Sequence, residues 1–213
     1  MDSASMSLLL TLVPLLMLAG AFAGVLAGLL GVGGGIVIVP SLYYIFGYLD
    51  IDDSVRMHLA VGTSLATIIP TSIRSMRAHQ SRGSFDPALF KNLAPGIVVG
   101  AAIGTWIATL ADFDTLTLVF ATVALCVSIY MALGNPRWQL REGLPSPWIY
   151  LPTVTVVGGI SAMMGIGGGT MAVPVLNLYG LPIHRSVGTA AGFGLVIALP
   201  ATLGFMLGGW NLP

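Results

Sequence analysis

Residues 28–40 read GLLGVGGGIVIVP, and residues 162–174 read AMMGIGGGTMAVP. Each places four glycines in five positions within an apolar stretch, and the second lies 134 residues after the first. Glycine in a helix interior costs about 1 kcal/mol relative to alanine. Each cluster therefore predicts a break in a helix, and the apolar flanks put that break inside a membrane.

Composition supports the membrane setting. The 213-residue chain is 56% hydrophobic and 8% charged, with a mean hydropathy of +0.94, where soluble domains carry about 25% charged residues. Its net charge is zero, which argues against nucleic acid as a partner, since no excess of basic residues neutralises phosphates. The single cysteine, Cys126, lies in the apolar run LVFATVALCVSIYMAL. One thiol cannot build a disulfide framework within the chain. The N-terminal apolar stretch lacks the basic start of a signal peptide and is long for one, so it reads as a first transmembrane helix.

About 20 mainly apolar residues are needed to span a bilayer as a helix. Apolar segments at 6–30, 58–73, 92–110, 115–134, 148–164 and 186–209 approach or meet that length, whereas 36–47 and 170–181 fall short. The acidic YLDIDDSVR (48–56) and the polar RSMRAHQSRGSFDPALFK (74–91) read as loops, with His79 solvated in the second. Pro40, Pro70, Pro174 and Pro200 are expected to kink or end helices. Tryptophans near span ends read as interfacial anchors.

The glycine clusters belong to a larger duplication. Gly31, Gly33, Gly34, Gly35 and Pro40 match Gly165, Gly167, Gly168, Gly169 and Pro174 at an offset of 134. HLAVGTS (58–64) matches HRSVGTA (184–190) at an offset of 126. The predicted organisation is a first repeat over 1–134, a cytoplasmic linker over 135–147 and a second repeat over 148–213. If each cluster is the tip of a hairpin, seven of the eight basic residues share one side: Arg74, Arg77, Arg82, Lys91, Arg137, Arg141 and Arg185. Arg56 joins Asp2, Asp50, Asp52, Asp53, Asp112 and Asp114 on the other. The positive-inside rule then makes the copies inverted and the basic side cytoplasmic. The fold class expected is an all-α polytopic membrane protein with an internal inverted repeat of glycine-broken hairpins.

Broken helices expose N–H groups and positive dipole ends, which bind anions from backbone alone. Paired interrupted segments in inverted repeats point to a site at the repeat interface. The expected backbone donors are Gly33, Gly34 and Gly35 with Gly167, Gly168 and Gly169. Thr63, Ser64 and Thr189, in the second motif, are candidate hydroxyl donors, and His58 and His184 are candidate donors or proton carriers. Each has a plainer reading: glycines for close helix packing, hydroxyls bonded to their own helix, histidines at helix ends. Two histidines 126 residues apart, with no carboxylate or thiol companions, make no metal site. A dinucleotide loop is rejected, because membrane sequence flanks the glycines on both sides. The spans offer no nucleophile–base pair, which argues against an enzyme.

The doubled GVGGGIVIVP and GIGGGTMAVP, each followed by a VGTS-like block (AVGTSL at 60–65, SVGTAA at 186–191), resemble the sulfite exporter TauE/SafE family of membrane permeases. The polar RAHQSRGSFD resembles the basic loop of that family. The resemblance runs from about residue 8 to the end. It implies a bacterial inner-membrane permease for small sulfur-containing anions such as sulfite or organosulfonates, with no cofactor. Its partners would be the small anionic substrate and the lipid bilayer, with a homo-oligomer left open. Family members usually continue past the second VGT helix, so the second half is expected to be incomplete, lacking a counterpart of about 80–134. The departure to VGTAA places Ala190 opposite Ser64. An anion channel and a non-transporting membrane scaffold remain the alternatives.

Overall fold

The computed structural model describes residues 34–133, 140 and 143–209, with scattered helical residues between 10 and 25 ahead of them. Gly31, Gly33 and most of the expected first span lie outside the described residues. The regular elements are α1 (Gly35–Tyr48), α2 (Asp53–Ser81), α3 (Pro87–Leu110), α4 (Phe113–Leu133), α5 (Pro147–Met163), α6 (Gly169–Leu178) and α7 (Ile183–Gly209). Among the described residues there is no strand.

Local chemistry sets the helix starts. Asp52 accepts the Ser54 amide at 2.8 Å, and Asp86 accepts the amides of Ala88 and Leu89 at 3.0 Å. Pro87 and Pro147 open α3 and α5, where a missing N–H is harmless. One sequence expectation is corrected here and another is narrowed. The polar stretch from Arg74 is not a loop: α2 continues to Ser81, with Arg74, Arg77 and Gln80 turned outward. None of Pro40, Pro70, Pro174 and Pro200 ends its helix.

Contacts divide the bundle into two ends. At one, Tyr43 stacks on Phe113, Arg56 pairs with Asp53, and His58 Nε2 lies 3.1 Å from the Ala108 carbonyl oxygen. This acidic end collects the close of α1 and α3 and the start of α2 and α4. At the other, Arg185 pairs with Asp86, and the amides of Leu140 and Gly143 donate to the carbonyls of Leu178 and Tyr179. This basic end collects the close of α2 and α6 and the start of α3, α5 and α7. The two short helices α1 and α6 thus run to opposite ends.

Helix α3 holds the centre. Its Gly96, Gly100 and Gly104 lie against Leu151, Thr155 and Gly159 of α5 so closely that a Cβ on Gly100 would stand 1.9 Å from the Thr155 carbonyl oxygen. Small residues at four-residue spacing are the usual way membrane helices pack at short range. The outer surface is apolar: Val99, Ile103 and Trp106 of α3, Leu118 and Leu125 of α4, and Leu199 and Leu203 of α7 are all exposed. Helices α3, α4 and α7 each contain a stretch long and apolar enough to cross a bilayer. An apolar exterior of this extent suits lipid, and the protein is an integral membrane protein.

Candidate functional site

The two glycine clusters meet. Helix α5 ends at Met163, and Gly165 turns the chain with φ +64, a left-handed conformation suited to glycine. Its carbonyl accepts the Ser64 hydroxyl of α2 at 2.7 Å, and Ser64 is fully buried. Gly35, the first residue of α1, faces the same carbonyl; a Cβ there would stand 2.4 Å from it. On the far side, Gly168 packs on Phe193 of α7. The second break is therefore held by α2 and α7, the helices of the VGT motifs.

Helix α1 begins after Gly34 and α6 after Gly168, neither N-cap makes a side-chain capping bond, and neither first turn holds an acidic residue. With no acidic side chain in either first turn, each end keeps the partial positive charge of its helix. A cavity of about 410 Å³ lies against both ends, where Gly34, Gly167, Gly168 and Gly169 form part of its wall. It continues along α2 past Ser72 and Ser75 to His79, towards the basic end.

The other residues expected at the site lie elsewhere. Thr63 is exposed on the outer face of α2. Thr189 is buried and accepts the Asp86 amide at 3.2 Å, tying the α2–α3 turn to α7. His58 lies beside the Ala108 carbonyl and packs edge-on against Phe205, near the acidic end. His184 is exposed at the basic end. Ser64 braces the second break from behind. The paired motifs thus supply the second break and its supports.

The cavity's own polar side chains escaped the sequence reading. Thr71 donates to the Thr67 and Ile68 carbonyls of its own helix. Ser72 and Ser75 make no hydrogen bond to a described residue, and their hydroxyls remain available. His79, expected to be solvated, is half-buried, with Nδ1 2.9 Å from the Ser84 hydroxyl. The available signal was spacing: positions 72, 75 and 79 share one face of a helix. Among the described residues no group of His, Cys, Asp and Glu is arranged to hold a metal ion.

Nearby, Arg185 of α7 pairs with Asp86 of the α2–α3 turn. The Leu89 amide, foremost, together with Arg185 and the Ala88 amide, outweighs burial and holds the Asp86 carboxyl below the ordinary aspartate value.

Comparison with known proteins identifies the family. The model of the family described as "Sulfite exporter TauE/SafE" matches residues 16–213. A probable membrane transporter protein of Haemophilus influenzae is 34% identical over 95% of this chain and 77% of its own length. One of Methanocaldococcus jannaschii is 32% identical over 86% of this chain and 68% of its own length. The probable membrane transporter protein YunE of Bacillus subtilis is 27% identical, covering 92% and 78%. No solved structure matches. With the family model spanning nearly the whole chain and its relatives named as transporters, this protein belongs to the sulfite exporter TauE/SafE family of membrane transporters.

Proposed function

We propose that the protein is a secondary carrier of a small sulfur-containing anion, sulfite or an organosulfonate. The carrying observation is the cavity against which two uncapped helix N-termini converge. Amides of the glycine breaks would hold the anion, with Gly34, Gly167, Gly168 and Gly169 at the wall and Gly35 behind it. The family name supports a sulfur oxyanion as cargo. In this reading the two copies form an inverted repeat, and access alternates as they rock about the breaks. The opposite directions of α1 and α6 support that arrangement. The basic end would face the cytoplasm of the cell whose inner membrane holds the carrier.

The test is flux of sulfite, methanesulfonate, sulfate and chloride in proteoliposomes. The expected result is saturable, competitive uptake of a sulfur anion with counter-flow. Unitary currents without counter-flow would make the protein a channel, and absence of all anion flux in folded protein would refute the proposal.

A further inference from the structure

The two VGT helices differ where they face the interior. At the offset of 126 that aligns HLAVGTS with HRSVGTA, Ser72, Ser75 and His79 of α2 correspond to Ala198, Ala201 and Phe205 of α7. Each polar residue thus has an apolar counterpart, and the counterparts are buried in the core. Phe205 packs against Gly62, while Ser84, the hydrogen-bond partner of His79, packs against Gly188, the equivalent of Gly62. One end of the bundle is sealed by an aromatic ring where the other presents an imidazole to a cavity.

Ser72 and His79 are seven residues apart, about 10 Å along the helix at 1.5 Å per residue. The three side chains therefore extend from the depth of the breaks to the cavity mouth. The Ser72 and Ser75 hydroxyls make no bond to a described residue, and Nδ1 of His79 meets Ser84 while Nε2 makes none. Unpaired donors along a cavity wall match a ligand rich in acceptors. Among the described residues, no acidic side chain lines this cavity.

We propose that Ser72, Ser75 and His79 form the side-chain half of the anion site, with His79 as its titratable member. Anion binding and imidazole protonation then favour one another by linkage. Around His79, the α2–α3 turn contributes the Ser84 hydroxyl and the charge of Arg82. Asp86, in the same turn, is engaged with Arg185 of α7. The rest of the described cavity wall, which includes Val187 from α7, Gly34 and Ile38 at the start of α1, and Gly168 and Gly169 at the start of α6, holds no ionisable side chain. His79 is thus the one titratable side chain on the described cavity wall.

This inference rests on the anion-carrier reading. The test is binding of methanesulfonate, whose charge is constant across the range, to the purified full chain in nanodiscs at about pH 5.5 and about pH 8. Histidine is the side chain that titrates in this interval. Wild-type protein is expected to bind about tenfold more tightly at the lower pH. His79→Gln, which keeps a donor but cannot charge, should lose this dependence, and His79→Lys should bind tightly at both values. Ser72→Ala/Ser75→Ala should weaken binding at both while keeping the pH ratio. A wild-type pH response in His79→Gln, or wild-type affinity in the serine variant, would overturn the inference while leaving the carrier reading intact. If methanesulfonate and sulfite both fail to bind folded wild-type protein, the carrier reading falls and takes this inference with it.

Discussion

Replacing Gly34 by alanine separates a binding role for the first break from a packing role. Gly34 has φ −67 and ψ −24, a conformation open to any residue. Among the described residues, a Cβ there meets the Cδ1 of Ile38 at 3.2 Å and its Cγ1 at 4.0 Å. Ile38 can adjust by rotamer, so the folding cost should stay within about 1 kcal/mol. The same methyl group narrows the cavity at its amide wall. A hydrogen bond to a charged group contributes about 1.5–3 kcal/mol, and each 1.4 kcal/mol is tenfold in affinity. Losing one such contact should weaken anion affinity roughly ten- to a hundredfold. Gly168→Ala is the control, because its Cβ would stand 2.5 Å from Phe193 Cβ and 3.1 Å from the Phe193 carbonyl carbon. Neither atom moves without the helix, so that variant should lose folded protein. The assay is concentration-dependent uptake in proteoliposomes, alongside size-exclusion profiles. Folded Gly34→Ala protein with wild-type apparent affinity would refute contact between this wall and the anion. Failure of the variant to fold would refute the packing estimate.

Two further outcomes are expected. Because the Asp86 carboxyl sits below the ordinary aspartate value, its stabilisation is fully present above about pH 4 and lost as pH falls through its folded value. The melting difference between wild type and Asp86→Asn should therefore hold steady above about pH 5 and shrink on further acidification; a difference that grows would contradict the assignment. In a Cys126→Ser background, Asp50→Cys and His184→Cys should react with a membrane-impermeant maleimide from opposite faces, and labelling from the same face would end the inverted-repeat reading. Native Cys126, exposed on α4, should be shielded from that reagent by lipid.

Much of the architecture was legible because membrane constraints act locally. Hydrocarbon forces backbone groups to bond within a helix, so long apolar runs located α3, α4 and α7, and glycine clusters located the starts of α1 and α6. The offsets of 134 and 126 paired the glycine and VGT motifs without coordinates. The reading failed where polarity was equated with loop. Arg74, Arg77 and Gln80 are polar because one face of α2 is exposed there, while Ser72, Ser75 and His79 turn inward.

Helix phase and packing decided the rest. Thr63 and Ser64 are adjacent in the chain, yet one is exposed and the other buried against Gly165, because successive helical residues are about 100° apart. From sequence alone both were equal candidates for the site. The amino-acid sequence by itself determined that this is a membrane protein in which two matching glycine motifs precede short helices, since apolar length and glycine content act through nearest neighbours. Tertiary structure decided that the breaks touch, and that α2 supplies the polar wall of the cavity between them. Those facts depend on how helices far apart in sequence rotate and pack, which no local pattern specifies.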